Sequence, residues 1–124
     1  MNKSIPAVTH ATEIVMVADK SFRMDFAVKE AFWSDGRVIV LLDPNSYLAD
    51  PAYGKDRRRG ALSVRNLCAL SDDGILLWQA ELPESVDYYY RIESRNPLVA
   101  LSFSSYRCEI DAQDGHIIDR QFLK

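Results

Sequence analysis

Glycine is scarce in this chain, five residues in 124, and histidine and cysteine are scarcer still at two each. No phosphate-loop glycine motif, no Gly-x-Ser-x-Gly frame and no twelve-residue calcium loop occurs, so phosphate cradling, a serine nucleophile and that cation site lack support. His10 and His116 have no second ligand or carboxylate at a telling spacing, which leaves no metal site and no catalytic residue to name. Cys68 and Cys108, without a further cysteine or a histidine pair nearby, read as buried reduced thiols that act as small hydrophobes. No apolar run approaches the ~20 residues needed to span a bilayer. Met1 to Thr12 has no apolar segment of the signal-peptide kind, so a cytoplasmic location without membrane contact is expected. A basic excess is missing too: the net charge is −3 and the pI about 5.3, which argues against a dedicated binder of nucleic acid. Convincing helical periodicity is also absent, apart from a turn of helix within Ser46 to Tyr53.

What the chain does contain is a recurring sentence. Asp35-Gly36, Asp73-Gly74 and Asp114-Gly115 each separate two apolar runs, and the three glycines are 38 and 41 positions apart. Asp-Gly is a strong hairpin signal, because glycine takes positive φ without a Cβ clash and aspartate tolerates the left-handed region beside it. The central example runs Leu67-Cys68-Ala69-Leu70, Ser71-Asp72-Asp73-Gly74, Ile75-Leu76-Leu77-Trp78.

Around these hairpins the chain divides readily. Residues 1–11 lack periodicity and are expected to form a loose arm. Ile14 to Val17 is a short β-branched run, and Phe22, Met24 and Phe26 alternate with polar neighbours at a period of two, as in a half-buried strand. Val28 to Ser34 and Arg37 to Leu42 form the first hairpin, whose second strand is apolar on both faces and therefore covered on both sides. Residues 43–60 are the one long irregular loop. Tyr88 to Glu93 reads as a strand, Asn96-Pro97 as a turn and Leu98 to Phe103 as the next strand. The apolar phase slips between Phe103 and Tyr106, which places a turn or bulge at Ser104-Ser105. The expectation is one all-β domain over residues 1–124, an antiparallel meander of about nine short strands.

Leu67 to Trp78, and more weakly Cys108 to Ile118, resemble the quinoprotein-type (PQQ-like) β-propeller repeat. The resemblance implies blade-like hairpins in which Trp78 packs between sheets and Gly74 and Gly115 make the turns. It implies no quinone and no other cofactor, because a closed propeller needs at least four blades and this chain supplies two to three. A half-propeller, a sandwich or a small open barrel are the alternatives.

Two stretches are candidates for binding. Tyr47, Tyr53, Arg57, Arg58 and Arg59 interleave aromatic and basic residues in the long loop, a pattern that can grip phosphates or stack on bases. Tyr88, Tyr89 and Tyr90 supply the residue type enriched at protein interfaces, with Tyr89 expected to point opposite to its neighbours. The reading adopted is a non-enzymatic protein-binding module of the inhibitor, immunity-type or accessory-subunit kind, with a protein partner or self-association. The alternatives are a small-ligand or nucleic-acid binder through residues 43–60, and a hydrolase using hairpin-end carboxylates near Asp73 and Asp114.

Overall fold

Short β-branched and aromatic runs, punctuated every few residues by turn formers, commit this backbone to antiparallel strands. The computed structural model describes residues 5–54 and 62–123. Among them are eleven strands in three antiparallel sheets. The first sheet holds β1 (Val8–Ala11), β2 (Ile14–Val17) and β3 (Lys20–Arg23). The second holds β4 (Val28–Ser34), β5 (Arg37–Leu42), β6 (Leu67–Leu70) and β7 (Leu76–Gln79). The third holds β8 (Tyr89–Arg95), β9 (Leu98–Ser102), β10 (Tyr106–Ile110) and β11 (Ile117–Phe122). Strand order in each follows the chain, as a meander does. Asp35 and Gly36 close the β4–β5 hairpin at φ 44° and 86°, the two positive values that a two-residue turn of this hand requires.

The sheets stack in series on two apolar cores. Phe32, Ile39, Leu41, Leu67, Ala69 and Trp78 of the second sheet meet Tyr89, Leu98, Ala100, Cys108 and Ile110 of the third. On the opposite face Val38, Val40, Cys68 and Leu70 meet Val15 and Val17 of the first sheet. Period-two alternation thus sends Val38 and Val40 one way and Ile39 and Leu41 the other, and β5 is covered on both faces as expected. Cys68 and Cys108 lie in different cores, so the two buried thiols do not meet.

One interlock is repeated. Gly74, at φ 84°, lies against the ring of Phe22 in the first sheet, and a Cβ there would sit 2.3 Å from its Cδ1. Gly115, at φ 82°, lies against Trp78 in the second sheet, where a Cβ would sit 2.5 Å from Cε3. Each outer hairpin is glycine-turned because an aromatic of the preceding sheet occupies the space a side chain would need. Buried polar groups lock the other end. Asn66 donates to the carbonyls of Leu42 (2.8 Å) and Tyr89 (2.7 Å) and accepts from the Tyr89 amide at 2.9 Å. The fully buried Asp87 accepts from the amides of Tyr88 (2.9 Å) and Ser104 (3.0 Å) and from the Ser104 hydroxyl.

Three expectations change. Val8–Ala11 is a strand paired with β2 and not part of a loose arm, since Val8 packs on the core and the Ala18 amide reaches back to the Ala7 carbonyl at 2.9 Å. The Phe22–Phe26 alternation leaves the strand after Arg23, although Met24 and Phe26 still face the core. The described part of the long loop, capped by Asp43, is a 3₁₀ turn over Pro44–Ala49 followed by one helical turn over Pro51–Gly54. No described helix is long and apolar enough to cross a membrane.

Candidate interaction surface

The predicted binding residues separate in space. Tyr47 is buried in a face-to-face stack with Phe26, ring centroids 3.8 Å apart, and Tyr53 stands edge-on to both at 5.2 and 5.8 Å. A ring stacked on phenylalanine on one side and buried overall has no free face to offer a base. Burial also pushes the Tyr47 hydroxyl well above the usual tyrosine range, so it stays protonated. Tyr88, Tyr89 and Tyr90 do not form one patch. Tyr89 is fully buried and donates its hydroxyl to the Glu81 carbonyl, which removes it from any binding surface. Tyr88 is half-buried and stacks on the exposed Phe103 at 5.0 Å, and Tyr90 is exposed. Arg57, Arg58 and Arg59 lie outside the described residues.

The carboxylates at the hairpin ends also part company. Asp73 pairs with Lys20 at 2.7 Å across the first two sheets. Asp111, Asp114 and His116 gather at the β10–β11 turn with ligand atoms within 4.8 Å of one another, a grouping that the sequence reading did not anticipate. Its signal was the Asp114-x-His116 spacing, short enough for one turn to close. The trio is largely consumed by its own turn. Asp111 accepts from the Gln113 amide at 2.8 Å, and Asp114 accepts from both the amide and Nδ1 of His116, which hold its carboxyl below the usual range. Asp73, paired with Lys20 of the first sheet, and Asp114, engaged with His116 on its own turn, do not form an acid–base pair.

The surface that stands out is the outer edge of the second sheet. Ile75, Leu76 and Leu77 are 64%, 54% and 48% exposed in succession. No strand among the described residues pairs with the outer side of β7. Sequence reasoning read this run as the second arm of the central hairpin and did not single it out as exposed. What could have corrected it is the absence of any polar alternation between Gly74 and Gln79, in a strand that ends a sheet. A bulge in the β6–β7 pairing, where Leu70 opposes Leu76 and Ala69 opposes Trp78, leaves Leu77 as the extra residue and turns it outward.

A family model for a domain of unknown function, DUF7957, matches residues 5–122. The chain belongs to the DUF7957 family. No curated protein gives a match.

In this DUF7957 domain β7 also borders a groove of about 480 Å³ between the first two sheets. Leu42, Cys68, Leu70 and Leu76 provide its apolar lining, with Phe26, Tyr47 and Tyr53 as an aromatic wall and Arg23, Asp25 and Arg65 as charged members. Arg65 donates to the carbonyls of Ala80 (3.0 Å) and Gln79 (2.6 Å), which fastens the end of β7 to the segment that leads into β6. Burial pushes the Cys68 thiol up to about 12, so it lines the groove as an inert apolar group and not as a nucleophile.

Proposed function

We propose that the domain is a non-enzymatic protein-binding module that docks a partner on the outer strand β7. The observation that carries this reading is the run Ile75-Leu76-Leu77, three consecutive large aliphatic side chains each about half exposed or more, at the start of a strand whose outer side has no partner among the described residues. Contiguous exposed apolar groups on a sheet edge mark interaction sites, because both the side chains and the free backbone groups gain from being covered. The chemistry for a catalytic alternative is thin: the buried thiols are held protonated, and the one acid–histidine grouping is engaged in its own turn. Two unpaired cysteines also agree with a cytoplasmic setting, where thiols remain reduced.

A photo-crosslinking residue placed at Leu77 in the native cell tests this, with Arg107 on the outer face of the third sheet as the control position. Discrete adducts with another protein are expected from position 77 and not from 107. Equal or absent crosslinking at both positions would remove the basis for the proposal.

A further inference from the structure

Resting on that docking role for β7, we infer that the neighbouring groove receives an extended segment of the partner in which a large apolar side chain is flanked by carboxylates. The apolar half of this statement follows from the lining formed by Leu70, Leu76 and Phe26. A volume of about 480 Å³ lies in the range of sites that enclose a small ligand or a large side chain.

The acidic half follows from an imbalance of donors and charge. Tyr47 is only 5% exposed, lines the groove, and makes no hydrogen bond to any described residue. A protonated hydroxyl in that position is a donor waiting for an acceptor. Arg65 meets only carbonyl oxygens, so no described carboxylate offsets its charge. Arg23 approaches Glu13 at 3.7 Å with the two side chains 72% and 41% exposed, a weak pairing. Against these two guanidinium groups the described lining of the groove holds one carboxylate, Asp25, a positive excess among the described residues of a chain whose net charge is −3. The occupant that complements this lining is rich in acceptors and negative at its edges.

Strand geometry orders these groups. A segment added beside β7 would turn every second side chain toward the groove face, with residues two apart on that face about 7 Å from one another. An apolar anchor entering between Leu76 and the aromatic wall therefore places residues two positions before and after it near the charged rim. Carboxylates there meet Arg23 and Arg65, and an acceptor on the segment takes the Tyr47 hydroxyl.

The test uses the full chain and a labelled peptide, acetyl-Ser-Glu-Thr-Phe-Thr-Glu-Ser-amide, titrated at low salt and followed by backbone amide shifts. A second peptide carries Lys in place of both Glu. The acidic peptide is expected to bind about tenfold more tightly than the basic one, with shifts centred on Leu76, Leu77 and Tyr53. Arg23→Gln and Tyr47→Phe are each expected to weaken it about threefold, and Leu76→Glu to abolish it. Equal binding of both peptides, lost only in Leu76→Glu, would overturn the acidic preference while leaving docking on β7 in place. Failure of both peptides would overturn the groove assignment, and crosslinking at position 77 then judges the docking role on its own.

Discussion

Gly115→Ala should destabilise the domain far more than Gly36→Ala, although both glycines sit at nearly the same φ, 82° and 86°. A left-handed conformation costs a non-glycine residue roughly 1–2 kcal/mol, partly offset by about 0.4–1 kcal/mol from a stiffer unfolded chain. At Gly36 that is the whole account, since nothing lies within 4 Å of an added Cβ, and a net loss of about 1 kcal/mol is expected. At Gly115 the new methyl would sit 2.5 Å from the Trp78 ring. That ring cannot swing aside freely, because its Nε1 donates to the Ala112 carbonyl at 3.0 Å on the same turn. Overpacking of this kind adds about 1–3 kcal/mol, so the total is about 2–4 kcal/mol, or roughly a 10 °C fall in melting temperature for a domain this size. Urea unfolding followed by tryptophan fluorescence reads both variants, and far-UV circular dichroism checks that each still folds. If Gly115→Ala and Gly36→Ala lose the same stability, the close approach between sheets is not what requires glycine at this turn.

Asn66→Leu keeps the branching of the side chain but takes the hydrogen-bond partner from the Leu42 and Tyr89 carbonyls and the Tyr89 amide, and should cost about 4 kcal/mol by urea titration; a loss below about 1 kcal/mol would mean that water replaces the side chain. Burial pushes the Cys68 thiol up to about 12 and the Cys108 thiol up to about 11, from 9.0 in both cases. The unfolded chain therefore releases these protons first, so stability should be flat below pH ~9 and fall as pH rises toward the folded values, and a Cys68→Ala/Cys108→Ala double variant should show a shallower fall over that interval. Replacing Arg107 by Leu, Glu109 by Ala and Asp119 by Trp together should raise the sedimentation-average mass, because it gives the outer face of the third sheet the apolar residues with which the second sheet packs on the third; an unchanged mass would show that charge on this face is not what keeps it solvated.

The local structure was readable from residue order to a large extent. Val28–Ser34 and Arg37–Leu42 emerge with the strand limits that the Asp35-Gly36 turn implied, and the phase slip before Tyr106 is a turn with Ser105 at φ 75°. Spacing misled in one respect. Gly36 joins the first two strands of its sheet, whereas Gly74 and Gly115 join the last two, so only the 41-residue interval relates equivalent positions. The tyrosine triplet was read correctly for direction and not for depth, since alternation says that Tyr89 opposes its neighbours but only the packing of two sheets says which side is the core. The exposed edge at Ile75–Leu77 was hidden for the same reason. An apolar strand looks alike in sequence whether it lies in the middle of a sheet or ends one, and that depends on residues far away in the chain.

Equivalent positions in the second and third sheets differ in a way that ends the stack and leaves the β7 edge uncovered among the described residues. In the second sheet Leu67, Ala69 and Trp78 face the next sheet, and Leu41 and Ile39 pair beside the first two. In the third sheet the corresponding residues are Arg107, Glu109 and Asp119, with Leu101 and Val99 beside them. The two aliphatic residues are still buried, yet they are covered by long charged side chains, among them Arg107 paired with Glu93 at 2.7 Å. A fourth sheet would have to strip that layer from water, at a cost that a face of this polarity does not return. Growth by stacking is therefore closed off by composition, as in the capping units of repeat proteins. The strand edges are treated differently. β11 places Asp119 and Arg120 at its centre, and β8 is interrupted twice by bulges, both of which discourage another strand. From Ile75 to Gln79 the β7 edge carries no charge at all. Charge at the centre of β11 and bulges in β8 thus set those two edges apart from the uncharged β7 edge, and the proposed docking role rests on that difference.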